Sequence, residues 1–93
     1  MKRPVRRQHQ CPACGYPGLA EEPRPASGGG SFEICPCCGY QPGVDDDDRG
    51  VTPSEHRRRW IVAGSPWFSR ATPAPPRWSP QGQVEKAFGK GGK

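Results

Sequence analysis

Cys11-Pro12-Ala13-Cys14-Gly15-Tyr16 and Cys35-Pro36-Cys37-Cys38-Gly39-Tyr40 repeat one pattern, C-P-x-C-G-Y, with 20 residues between Cys14 and Cys35. Two C-x2-C pairs at this separation have the spacing of a four-thiolate zinc site. Two residues between thiols let the chain curl tightly enough for both sulfurs to reach one ion, at about 2.3 Å each. Proline fixes φ and removes a backbone donor inside the curl. Glycine lets the chain leave through positive φ without steric cost. The freed amides can then point at the sulfurs and support them. The repeat therefore predicts two knuckles in a pseudo-twofold relation around one Zn2+, with Cys11, Cys14, Cys35 and Cys38 as its ligands.

A disulfide framework fits poorly, because the five cysteines cannot all pair. Lys2, Arg3, Arg6 and Arg7 are not followed by an apolar segment, so no secretory signal is expected. A cytoplasmic location with reduced thiols suits zinc. Cys37 is the extra thiol. Using it in place of Cys38 would leave C-x-C, so Cys38 is assigned as ligand and Cys37 as spare. Cys37 is then either a small side chain beside the metal or a redox or substitute-ligand thiol, a role that needs a depressed pKa.

The 93 residues allow one small domain. Leu, Ile, Val and Phe together number 11, and there are 13 glycines and 13 prolines. That apolar content lies below the rough 20% level under which disorder is the default. Such a chain needs a staple, and thiolate coordination supplies one. No apolar stretch approaches the length of a membrane span.

The organisation follows in chain order. Residues 1–9 read as a flexible basic tail, 10–88 as one metal-stabilised domain, and 89–93 as a second tail. Tyr16 to Glu22 leaves the first block as a short strand. Pro23 to Gly30 is a loop, and Ser31 to Ile34 alternates as a second strand. The two strands would form a zinc-ribbon hairpin. Phe32, Ile34, Leu19, Tyr16 and Tyr40 are the expected core beside the metal. Asp45–Asp48 lack the spaced ligand pattern of a calcium loop, so they are expected to be solvated or to face the arginines downstream rather than to hold a second ion.

Thr52-Pro53-Ser54-Glu55 is a T-x-x-E capping box with proline at the first helical position, and it predicts a helix from Pro53 to about Ala63. Trp60 shares a stripe with His56, while Arg57, Arg58 and Arg59 fan over the remaining surface. Four thiolates already fill a tetrahedral shell, so His56 is a structural histidine rather than a ligand. The Pro-rich strap carrying Trp67, Phe68 and Trp78 is expected to fold back on the helix around Trp60 or on the ribbon. Ser79-Pro80 starts a short last helix through Phe88, with Val84 and Phe88 on one face. The fold class is thus a small metal-stabilised α+β domain: knuckle hairpin, main helix, strap and C-terminal helix.

With these motifs laid out, the chain resembles the bacterial cysteine-rich CPCC-domain family. The resemblance rests on the Cys11–Tyr16 block and on Glu33-Ile34-Cys35-Pro36-Cys37-Cys38 with its acidic run. It rests also on Arg59-Trp60-Ile61, Pro66-Trp67-Phe68-Ser69, Thr72-Pro73 and Trp78-Ser79-Pro80, and it covers about residues 10–88. Family members double the cysteine in the first block, and here it is doubled in the second. They place a Trp-Glu-Asp-Asp stretch directly after the second block, where this chain has Tyr40–Val44. The resemblance implies a small metal-binding bacterial protein and supplies no activity.

Two functions fit these features. One is a zinc-stabilised module that binds a protein partner through its aromatic, Pro-rich second half. The other is a nucleic-acid binder, suggested by the net charge of +5, the basic N-terminus and Arg57–Arg59. Asp45–Asp48 break up any single-signed surface and favour the first. Catalysis is not expected, since four thiolates close the metal shell and no nucleophile–base pair stands out. No small-molecule substrate is indicated.

Overall fold

The computed structural model describes residues 8–26 and 28–89. The basic run at 1–7 and the tail at 90–93 lie outside the described residues. The architecture is two cysteine blocks joined by a long loop, then helix α1 (Pro53–Val62), an extended aromatic strap, and helix α2 (Pro80–Phe88).

Helix α1 starts where the capping box places it. Thr52 Oγ1 accepts the Glu55 N–H at 3.1 Å, and Glu55 Oε1 accepts the Thr52 N–H at 3.4 Å. It ends at Val62, with Ala63 as its C-cap and Gly64 leaving at φ +98°. Helix α2 is capped by Ser79, whose Oγ accepts the Gly82 N–H at 3.0 Å, and it buries Val84.

The expected hairpin is not formed among the described residues. Among the described residues the β pairing is a single antiparallel bridge, His9 with Leu19. Phe32 is the reason: it takes φ +66°, which turns the chain out of the extended region a strand requires. Its N–H bonds to Pro42 O at 2.9 Å instead of crossing to the 16–22 arm. A side chain joins the two arms in place of a ladder, since the Glu33 carboxylate accepts the N–H groups of Ala20 and Glu21 at 3.0 and 2.9 Å.

The core expectation is corrected accordingly. Leu19 and Tyr40 are buried and Tyr16 packs against the core cluster, but Phe32 and Ile34 are 59% and 49% exposed. Arg57 is a second correction. It does not fan over the surface with Arg58 and Arg59; it is 7% exposed, with its guanidinium 4.0 Å above the Phe88 ring. A third concerns the acidic run. Its principal partner is Arg24, upstream in the loop, which reaches Asp46 at 2.8 Å and Asp47 at 2.6 Å. The downstream Arg49 stands 4.0 Å from Asp45. Burial works against the Asp46 charge, but hydrogen bonds from Arg24 and from the Gly43 and Asp47 N–H groups outweigh it and hold that carboxyl below its usual value.

The strap folds back as the aromatic content suggests. Trp78 lies between Trp60 and Trp67, with ring centroids 6.5 and 5.1 Å away, and Trp67 meets Tyr16 edge-on at 5.7 Å. Each indole N–H is used: Trp60 donates to Pro66 O, Trp67 to Thr72 O and Trp78 to Gln83 Oε1. A row of rings therefore runs from α1 across the strap to the first cysteine block.

Candidate metal centre

The two C-P-x-C-G-Y blocks fold into the same turn. In the first, the Cys11 N–H donates to Tyr16 O at 2.8 Å and the Gly15 N–H to Cys11 O at 2.9 Å. In the second, the Cys35 N–H donates to Tyr40 O at 3.0 Å and the Gly39 N–H to Cys35 O at 2.8 Å. Gly15 and Gly39 leave these turns at φ +87° and +83°, the left-handed conformation that glycine adopts freely.

This doubled turn brings Cys11, Cys14, Cys35 and Cys38 together. Their sulfurs all lie within 4.8 Å of one another, and all four residues are buried. Cys11 and Cys38 Sγ are 3.8 Å apart, and Cys14 and Cys35 Sγ 3.7 Å. An ion bound tetrahedrally at about 2.3 Å from each sulfur spaces them about 3.8 Å apart, so the donor set fits such an ion. The five cysteines form no disulfide. The Ala13 N–H points at Cys11 Sγ from 3.4 Å.

The electrostatics of the protein atoms agree with a cation site. Thiol donors on Cys14, Cys35 and Cys38 pull the Cys11 pKa down. That first thiolate, above all other causes, pushes the Cys14 and Cys38 thiols up. Thiolates this close repel one another, and a bound cation would offset that repulsion.

The remaining candidates stand outside the cluster. Cys37 is fully buried one residue from Cys38, and its Sγ accepts a long contact from Gln83 Nε2 at 3.4 Å. His56 is half-buried with its ring 5.0 Å from Tyr40. Asp45–Asp48 belong to no group of three or more metal-ligating side chains among the described residues. Two residues that touch the blocks escaped the sequence reading. Arg57 was within reach of it, because it precedes Trp60 by three positions on the buried stripe. Gln83 carries no such signal.

The two turn glycines predict an asymmetry. A Cβ on Gly15 would lie 2.7 Å from Ala87 Cβ and 3.2 Å from Gln83 O, against α2 itself. A Cβ on Gly39 would lie 2.7 Å from Phe68 Cδ1, on a ring that is 57% exposed and free to swing away. Alanine at either position costs about 1–2 kcal/mol for its backbone conformation. Gly15→Ala should add about 1–3 kcal/mol of overpacking. Urea titration of the metal-loaded variants should therefore show the larger loss for Gly15→Ala, and equal losses would contradict this packing.

Comparison with known proteins gives one informative match. The chain is similar to the uncharacterized protein YoaQ of Bacillus subtilis (strain 168), 31% identical over 74 residues that cover 64% of this chain and 63% of the relative. The match thus spans less than two thirds of that relative's length. No protein-family model matches the chain, and no solved structure does.

Proposed function

We propose that this is a small module, held together by one Zn2+ on Cys11, Cys14, Cys35 and Cys38, that acts by binding a protein partner. The observation that carries the metal half is the set of four buried sulfurs at tetrahedral-edge spacing. Four thiolates leave no open coordination position, so the ion is structural in this reading and the protein is not an enzyme. The likeness of its motifs to the CPCC-domain family supports the metal site and supplies no activity.

The partner-binding half rests on apolar side chains that the fold leaves outside. Ile34 and Phe68 line one groove with Glu33, Pro36, Ser69 and Thr72, on the outer side of the second block. The nucleic-acid alternative loses support from the basic residues themselves. Arg57 is buried and Arg24 is tied to Asp46 and Asp47, which leaves fewer guanidinium groups to follow a phosphate backbone.

Metal analysis of protein purified under native conditions should give one zinc per chain. A coloured sample with one iron would keep the site and change the ion, since tetrahedral thiolate sites suit both. Affinity purification with and without nuclease then separates the two functions. A partner retained after nuclease and lost in Phe68→Asp, with metal content unchanged, supports the protein-binding reading. Nuclease-sensitive retention would replace it with the alternative.

A further inference from the structure

The outward carbonyls of the two blocks can be accounted for one by one. In the first block, Pro12 O and Ala13 O both accept from Arg57 Nη1, at 3.2 and 3.0 Å, and Cys14 O accepts from Gln83 Nε2 at 3.0 Å. The equivalent atoms of the second block are held as fully. Pro36 O accepts the Ser69 N–H at 2.9 Å, Cys37 O the Phe68 N–H at 3.0 Å, and Cys38 O pairs with His56 Nε2 at 3.0 Å. A carbonyl only accepts, so His56 Nε2 is the donor in this pair. Every donor comes from residues 56–83, and α1, the strap and α2 each supply at least one.

We infer that this second half of the chain is a collar that keeps the metal from leaving, with Arg57, Gln83 and His56 as positioning residues. The inference rests on the metal-centre reading. An ion departs when a block uncurls and presents its sulfurs to another acceptor. The collar bonds hold the backbone carbonyls inside each turn, and uncurling must break them. Arg57 adds charge as well as geometry. A dication among four thiolates retains net negative charge, and a guanidinium buried against the first block complements it. Gln83 spends its amide completely: Nε2 contacts Cys14 O and Cys37 Sγ, while Oε1 takes the Trp78 N–H. It ties α2, the tryptophan row and both blocks into one unit.

Groups that hold metal ligands from behind typically affect metal affinity by about 10- to 100-fold. Three variants each remove one grip while keeping shape: Arg57→Met, Gln83→Glu, which retains the acceptor for Trp78, and His56→Phe, which retains a ring against Tyr40. Zinc transfer from the loaded full chain to excess EDTA should be about 10- to 100-fold faster in each. Arg58→Met, on the exposed side of α1, should transfer at the parent rate.

Amide hydrogen exchange separates a local grip from general weakening. Arg57→Met should raise exchange at residues 11–16 and spare 35–40, His56→Phe should do the reverse, and Gln83→Glu, which loses contacts to both Cys14 and Cys37, should raise exchange in both blocks while sparing α1. Release within twofold of the parent in all three variants overturns the collar. So does faster release with exchange raised evenly along the whole chain, the signature of lost global stability. Where Arg57→Met does not load zinc, Gln83→Glu and His56→Phe carry the test, and release within twofold of the parent in both overturns the collar. A parent chain that takes up no zinc fails the metal-centre reading itself, and metal analysis shows that before any rate is read.

Discussion

Stripping the metal should unfold the protein rather than loosen it. Amide dispersion in a 1H–15N spectrum is expected to collapse on chelation and to return with one equivalent of Zn2+. The argument is the composition of the core. Its buried residues are Cys11, Cys14, Cys35, Cys37 and Cys38 with Ala13, Leu19, Tyr40, Trp60 and Val84. Among the described residues, Pro42 aside, Leu19 and Val84 are the only buried aliphatic side chains larger than alanine, and each is worth about 1.5–3 kcal/mol on burial. Ordering a backbone costs about 1–2 kcal/mol per residue, and no strand ladder is present among the described residues to organise it. A structural zinc bound to thiolates contributes on the order of 10 kcal/mol. Removing it also leaves four crowded thiols whose ionisations oppose one another. A chain that keeps its dispersed spectrum at zero measured metal would show that the tryptophan row and the collar suffice alone.

The sequence was most legible where a residue's role is set by its near neighbours. The cysteine spacing and the glycines that follow it are local properties, and the two blocks do form matching turns. The capping box at Thr52–Glu55 and the Ser79-Pro80 start are local too, and both helices begin where those signals lie. The hairpin failed because alternation at Ser31–Ile34 describes a strand only if every residue stays extended, and Phe32 does not. Its exposure and that of Ile34 follow from the same turn. Arg24 with Asp46 and Asp47, and Arg57 with the first block, are pairings across 22 to 45 residues. Such pairs depend on how the loop and the helices settle around the sulfurs, and residue type alone does not specify a partner at that distance.

Truncating Trp60 should produce a different failure from losing the ion, and the contrast tests how the two halves are joined. Trp60 is 5% exposed, donates its indole N–H to Pro66 O at 2.9 Å, and begins the row that continues through Trp78 and Trp67 to Tyr16. Trp60→Ala opens a cavity that costs about 3–5 kcal/mol. Trp60→Phe keeps a ring and orphans the Pro66 carbonyl, at about 1–3 kcal/mol. Trp60 is not one of the four clustered ligands, so Trp60→Ala should still bind one zinc per chain. The strap and helices would be released from the blocks. Near-UV ellipticity should fall, emission from Trp67 and Trp78 should shift to the red, and the urea midpoint should drop further than in Trp60→Phe. An alanine variant with the parent midpoint would mean that hydrogen bonds to the blocks, and not the aromatic row, hold the second half in place. Loss of zinc stoichiometry in Trp60→Ala would mean that blocks and helices form one cooperative unit, with no metal-bound state independent of the helices.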